Sequence, residues 1–359
     1  MSSTARFLVF HTEKLSFMQS KNQHTLLGKL TGHTGAVICM TTNEDGKLLA
    51  SGGTDGTRLW SLETLSPIPR VTGAGDRGAT TCALWVRRED EATEILFYGT
   101  ENGWLVCWKQ TASRGFQEIN VVRLVNKAEI TGLSFDTATN RLLVCHRDLV
   151  VQAWAVERSL QLQNIFSVTI PSFTPKAVAW GDFKNNEREI LAFGLYDGQI
   201  HVLRSTDGQV TGTKQVGGLI GDVDVHSRKG LFCIDDPHQG IAIYRLDDHQ
   251  RVKTMEVKRT REHPRPRQVC FSPDGGSVVI GSDHGVVYVF DRWTGETIGQ
   301  LQMGAPDWVQ TVAVGVVCRS RAQISDQDAR PLTSTAIPPF LGRDAGKQME
   351  RTTYTCGRR

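Results

Sequence analysis

A short polar turn followed by an apolar strand that ends in a large residue returns along the whole chain, and no other feature restricts the fold as much. The unit reads Asp55-Gly56 to Trp60, Asn102-Gly103 to Trp108, Asp197-Gly198 to Leu203, Gln239-Gly240 to Tyr244 and His284-Gly285 to Phe290. At Arg147-Asp148 to Trp154 the glycine is missing but the frame persists. The large terminal residues are separated by 48, 46, 49, 41 and 46 positions. Each turn follows a short apolar run, such as Leu48-Leu49-Ala50, Ile95-Leu96-Phe97 or Val278-Val279-Ile280. Such runs, β-branched or aromatic and bounded by Gly, Asn and Asp, favour strands over helices. The turn needs a residue that tolerates positive φ, which Asp-Gly and Asn-Gly supply.

An alternating strand precedes each run, as in Ile130 to Phe135, and no stretch of useful length has a helical period. Several strands in each unit of roughly 40 to 50 residues predict the blades of an all-β propeller. Gly32-His33, Asn43 to Gly46 and Leu49 to Trp60 together resemble a WD-repeat (WD40) blade, as does Phe271-Ser272-Pro273-Asp274-Gly275 in the sixth unit. No repeat ends in Trp-Asp: Trp60 precedes Ser61, Trp108 precedes Lys109 and Trp154 precedes Ala155. The resemblance spans about residues 25 to 317 and implies a WD40-like β-propeller of nominally seven blades with the seventh incomplete. Trp308 to Val314 reads as the first strand of that last blade, with no apolar strand and Asp-Gly turn after it. The family pattern implies that Leu26 to Leu30 closes the ring as the outer strand of this blade, with Arg6 to Phe10 as a further strand. Residues 1–24 then form an N-terminal extension, 25–317 the propeller, and 318–359 a polar, proline-containing tail expected to be disordered. The resemblance also implies a hydrogen-bonded series of His33, Ser51, Asp55 and Trp60. Blade one alone has the full set, since His263 in blade six is one position out of frame.

Charge and cysteine usage narrow the function classes. Lys plus Arg is 41 and Asp plus Glu is 38, a balance too even to predict nucleic acid or an anionic membrane as the main partner. The apolar runs are far shorter than the roughly 18 residues of a spanning helix, and Met1 to Lys14 lacks the pattern of a secretory signal. Eight cysteines form no C-x-x-C pair, and no N-x-[ST] acceptor occurs. An intracellular chain with reduced thiols, cytoplasmic or nuclear, is the expectation.

Thr72 to Gly78 contains G-x-G-x-x-G, but a strand-like sequence follows where a dinucleotide site needs a helix. His33, Ser51 and Asp55 have the side-chain types of a hydrolase triad, yet a triad leaves Trp60 unexplained and lacks a nucleophile elbow. The histidines and cysteines lack metal-ligand spacing. No cofactor is therefore expected. Between Arg251 and Arg267 lie seven basic residues, Arg259, Arg261 and Arg267 among them, against two acids, a segment suited to an acidic peptide, a phosphate or RNA. Aligning the first strands places Glu129, Arg265 and Trp308 just before their strands, on the ring of side chains at the upper mouth of the channel. Trp and Arg are enriched in binding hot spots. The expectation is a non-enzymatic scaffold that binds proteins or peptides on its upper rim, with no membrane partner; RNA or phosphate binding by the basic segment is the alternative. An enzyme would need titratable groups converging in the channel, where the sequence offers only Glu129 and Arg265.

Overall fold

Six times along the chain, four consecutive antiparallel strands form one small sheet. The computed structural model describes residues 6–13, 23–69, 71, 75–184, 187–260, 265–304, 308–317 and 350–357. Blade one consists of Val37–Thr42, Leu48–Gly53, Gly56–Ser61 and Ser66–Pro67. Blade two consists of Thr80–Val86, Ile95–Thr100, Trp104–Gln110 and Phe116–Arg123. Blades three to six repeat the arrangement and begin at Ile130–Asp136, Pro175–Lys184, Asp222–His226 and Val269–Phe271. The first strands stand side by side and line a central channel of about 350 Å³.

The blades hold together because both faces of each are apolar. All six residues of Ile95–Thr100 are buried. Ile95 and Phe97 pack toward Ile130, Leu142 and Val144 of blade three, whereas Leu96 and Tyr98 pack toward Ala50 and Leu59 of blade one. A strand's side chains alternate between faces, so a continuous apolar run is what a sheet sandwiched between two neighbours requires. Each such Leu, Ile or Phe contributes about 1.5–3 kcal/mol by leaving water. The turns follow the local chemistry: Gly56 and Gly103 have φ of 93° and 72°, and where the glycine is missing Leu149 takes the same left-handed conformation at 73°.

The expectation of an incomplete seventh blade needs correction. Six blades are continuous in sequence, and the strand after them is Thr311–Val317, three residues beyond the expected start at Trp308. It is not left alone. It pairs with Glu350–Gly357, which pairs with Arg6–Glu13, which pairs with Gln23–Thr31, giving a composite four-stranded sheet from the two chain ends. Leu26 to Leu30 thus lies in the outer strand and Arg6 to Phe10 in the next one inward. The tail expected to be disordered contributes a strand because Thr352 to Cys356 alternates β-prone residues that the surrounding polar composition hides. Thr42 Oγ1 donates to the Val314 carbonyl at 3.2 Å, so this sheet also touches blade one.

Candidate functional site

In blade one the loop before the first strand, the second strand, the turn and the third strand bring four side chains into one buried line. Trp60 Nε1–H donates to Ser51 Oγ at 2.8 Å, Ser51 Oγ lies 2.8 Å from His33 Nε2, and His33 Nδ1 lies 2.5 Å from Asp55 Oδ1. An indole can only donate. The Ser51 hydroxyl hydrogen therefore points to His33 Nε2, and His33 Nδ1–H donates to Asp55. Burial pushes His33 below its ordinary value more than Asp55 draws it up, so the ring is neutral at pH 7. Burial pushes the Asp55 carboxyl up, but the hydrogen bonds from His33 and from Thr34 N–H outweigh it and bring it down to about 2. His33 and Ser51 are sealed from solvent, so the hydroxyl has no access to a substrate.

Blade three has a shorter version that the sequence reading missed. His146 Nε2 and Trp154 Nε1 both meet Gln152 Oε1, at 3.2 and 3.1 Å. In blade six the histidine comes from the turn itself, since His284 lies 2.7 Å from Asp283 Oδ1 and 2.9 Å from the Tyr288 hydroxyl. His263 lies outside the described residues.

The upper-rim candidates separate into two groups. Glu129 accepts a hydrogen bond from Arg147 Nε at 2.5 Å, and the exposed Tyr196 stands beside the same guanidinium. The Asn126 side-chain amide donates to Asp148 Oδ2 at 2.6 Å, tying this loop, with its fully exposed Val125, to the neighbouring turn. Arg147 and Tyr196 were missed, although each sits in or beside a turn that the repeat had already marked. Elsewhere on the rim the exposed Arg265 guanidinium lies 5.1 Å from the ring centre of the half-buried Trp308. One backbone contact recurs in four blades, where the carbonyls of Ala36, Ala79, Glu129 and Thr174 each accept a turn N–H at 2.9 Å. It changes in blades five and six, where Gly221 N–H donates to the Asp235 carbonyl and Val309 N–H to that of Ser282.

The basic segment does not form one patch. Arg251 and Lys253 lie on the outer strand of blade five, Lys258 and Arg259 are exposed in the following loop, and Arg261 lies outside the described residues. Arg267 corrects its reading as a partner contact: its side chain is 5% exposed and binds the fully buried Asp235 through Nη2 at 2.6 Å and Nε at 3.2 Å. A charge inside a basic run reads as surface until its partner, 32 residues earlier, is known. The G-x-G-x-x-G glycines that are described, Gly75 and Gly78, lie in the loop before the strand Thr80–Val86, where no helix N-terminus awaits a phosphate.

The channel also holds more charge than the sequence suggested. Lys176, Asp222 and Asp224 line it; Asp222 and Asp224 share a face because they are two residues apart on a strand. Their carboxylates accept Val269 N–H at 3.1 Å and Phe271 N–H at 2.7 Å, stitching blade five to blade six. Burial raises Asp222 to about 7 against the pull of Lys176. A carboxyl raised in the fold favours the native state at low pH, and this advantage is lost as the pH rises from the unfolded value near 4 through 7. Asp222→Asn keeps the acceptor and removes the charge. It is expected to match wild type near pH 4 and to exceed it by about 2 kcal/mol at pH 8, a figure already reduced for channel water. Urea melts at the two pH values measure the difference. Among the described residues no group of three or more His, Cys, Asp or Glu is placed to hold a metal, and no helix is long and apolar enough to cross a membrane. Cys39, Cys82, Cys107, Cys145, Cys233 and Cys270 are free, and burial pushes Cys39, Cys107 and Cys145 up to about 12.

Radial four-stranded sheets around a channel, with a buried Trp-Ser-His-Asp series in the first, define a β-propeller of the WD type. Residues 24–61 and 255–291, which include the first three strands of blades one and six, match the family model described as WD domain, G-beta repeat. In these two stretches the chain carries WD repeats. It is similar to the APC/C activator protein CDC20 of Saccharomyces cerevisiae, with 24% identity over 341 residues that cover 86% of this chain and 49% of that protein. The chain thus spans about half the length of the curated relative it matches.

Proposed function

We propose that the chain is a non-enzymatic platform on which protein partners assemble, contacting them through the upper rim at Glu129, Arg147 and Tyr196 on one side and at Arg265 and Trp308 on another. The observation that carries the reading is the Arg265 guanidinium over the Trp308 ring beside the channel mouth. Arginine and aromatic side chains held on rigid supports are the usual anchors of protein interfaces, and here blade turns supply the support. The likeness to a protein named as an activator of the APC/C also suits an assembly role; the particular complex does not carry over at this identity and coverage. The buried His33 and Ser51 favour a structural over a catalytic use of that pair.

Combined replacement of Glu129, Arg265 and Trp308 by alanine is expected to leave the melting temperature within a few degrees of wild type, because none of the three is fully buried. The same variant is expected to lose partners that wild type retains in quantitative affinity purification. An identical partner set for the folded variant would overturn the assignment of these residues.

A further inference from the structure

The inner strands of the first four blades each carry one extra residue. Val37, Thr80, Ile130 and Pro175 pair with Gly53, Thr100, His146 and Gly194, and Cys39, Cys82, Gly132 and Ala177 pair with the residues just before these. Ile38, Thr81, Thr131 and Lys176 therefore oppose no residue of the second strand. Such a bulge re-aims its side chain, and all four line the channel. Two of the four are tied down: Thr81 Oγ1 donates to the Ile130 carbonyl at 2.6 Å and Thr131 Oγ1 to the Pro175 carbonyl at 2.8 Å, each in the following blade. Lys176 holds the same place in blade four without such a bond. Among the described residues its ammonium has no hydrogen bond and no carboxylate within 4.0 Å.

The next blade presents Asp222 to the same space. Burial raises this carboxyl, and Lys176 is the charge that draws hardest against the rise, yet the two side chains do not meet. Asp222 Oδ2 accepts the Val269 N–H, whereas Oδ1 accepts nothing from the described residues. Asp224 adds a second carboxylate to the same wall. Lys176 and Asp222 are both half-buried. Each gives up part of its hydration without touching an opposite charge, a cost that an incoming group of the right charge recovers.

We propose that the channel binds a small zwitterion of the kind represented by a free amino acid, with its carboxylate on Lys176 and its ammonium on Asp222. A bare anion placed at Lys176 also faces Asp222 and Asp224, and a bare cation placed at the carboxylates also faces Lys176. Only a molecule carrying both charges gains a charge-assisted hydrogen bond at each end. The cavity of about 350 Å³ is near the lower end of ligand sites, roughly 300–1,000 Å³, which suits a molecule of amino-acid size. The site shares no residue with the upper-rim clusters, so either can fail without the other.

The test titrates the full chain by ligand-detected NMR at pH 8, above the Asp222 value of about 7, so that this carboxyl is mostly ionised. The probes are glycine, L-alanine, L-serine and 4-aminobutyrate, with acetate and ethylammonium as controls that carry one charge each. At least one zwitterion is expected to bind about tenfold or more tightly than either control, the value of one added charge-assisted bond. Lys176→Met, which keeps the stem and removes the charge, is expected to weaken that zwitterion by about tenfold or more. Asp222→Asn, the variant expected to fold at least as well as wild type, is expected to weaken it in the same direction, and Trp308→Ala to leave it unchanged. Zwitterions that bind no better than acetate or ethylammonium, binding indifferent to Asp222→Asn and to a folded Lys176→Met, or binding lost in Trp308→Ala would each overturn the proposal.

Discussion

Arg267→Ala is expected to destabilise the protein by about 3–5 kcal/mol, the range for removing one partner of a buried ion pair. Arg267 donates three hydrogen bonds to Asp235, one from its backbone N–H at 2.8 Å and two from its guanidinium. Burial raises the Asp235 carboxyl to about 6, and Arg267 is what keeps it from rising further. Without the guanidinium a fully buried carboxylate is left short of two donors. The cost has a pH signature. In the variant the native carboxyl protonates more readily than in wild type, so the gap between the two proteins is widest near pH 8 and narrows as the pH falls toward 4, where both native carboxyls are protonated. Replacing both partners together, Arg267→Met with Asp235→Asn, is expected to recover most of the loss, since the amide still accepts the Arg267 N–H and no desolvated charge remains. Urea melts of wild type and the two variants at pH 8 and pH 5 measure all of this. A loss that does not change with pH would mean that packing by the arginine stem, not charge, holds blade five to blade six.

What the sequence discloses here is what local chemistry encodes. Asp55-Gly56 and Asn102-Gly103 announce their turns because only a few residue types accept positive φ, and Ile95-Leu96-Phe97 announces a strand buried on both faces. Four residue types at fixed offsets marked the series from His33 to Trp60. Contacts between distant segments were not legible. The composite sheet joins residues more than 300 positions apart, Arg6 opposite Gly357, and no local period links the two ends. Arg267 and Asp235 look like surface charges until two blades meet across them. Asp222 and Asp224 read as an ordinary alternating strand, because nothing local says that the polar face looks into a channel. The short outer strand of blade one was hidden for the opposite reason. The regular spacing of the units suggested equal blades, while Pro67 and Pro69 mark a segment poorly suited to a long ladder.

His33→Phe is expected to cost about 3 kcal/mol at pH 7 and to lower the melting temperature by roughly 5 °C or more. The phenyl ring fills the space but accepts nothing from Ser51 and donates nothing to Asp55. Two polar groups are left short of partners, and a buried chain of this kind stabilises only when every member is paired. Acid should erase the difference between the two proteins in two stages. His33 is held below its ordinary value of 6.5 in the fold, so the unfolded chain takes up that proton first and wild type loses stability as the pH falls below 6.5. Asp55 is held at about 2 against 3.8 unfolded, so a further loss comes between about pH 4 and 2. The variant lacks the first term and keeps only the part of the second that Thr34 and Arg58 supply. Asp222 and Asp235 titrate in the opposite sense but are common to both proteins and cancel in the difference. Ser51→Ala is the companion, because it removes the hydroxyl that Trp60 Nε1–H and His33 Nε2 share while leaving the histidine in place to bind Asp55. It is expected to cost a similar amount at pH 7 but to keep the loss between pH 4 and 2. If both variants instead remain as stable as wild type at pH 7, the hydrogen-bonded series does not hold blade one together, and Leu49, Trp60 and Leu30 packing alone must do so.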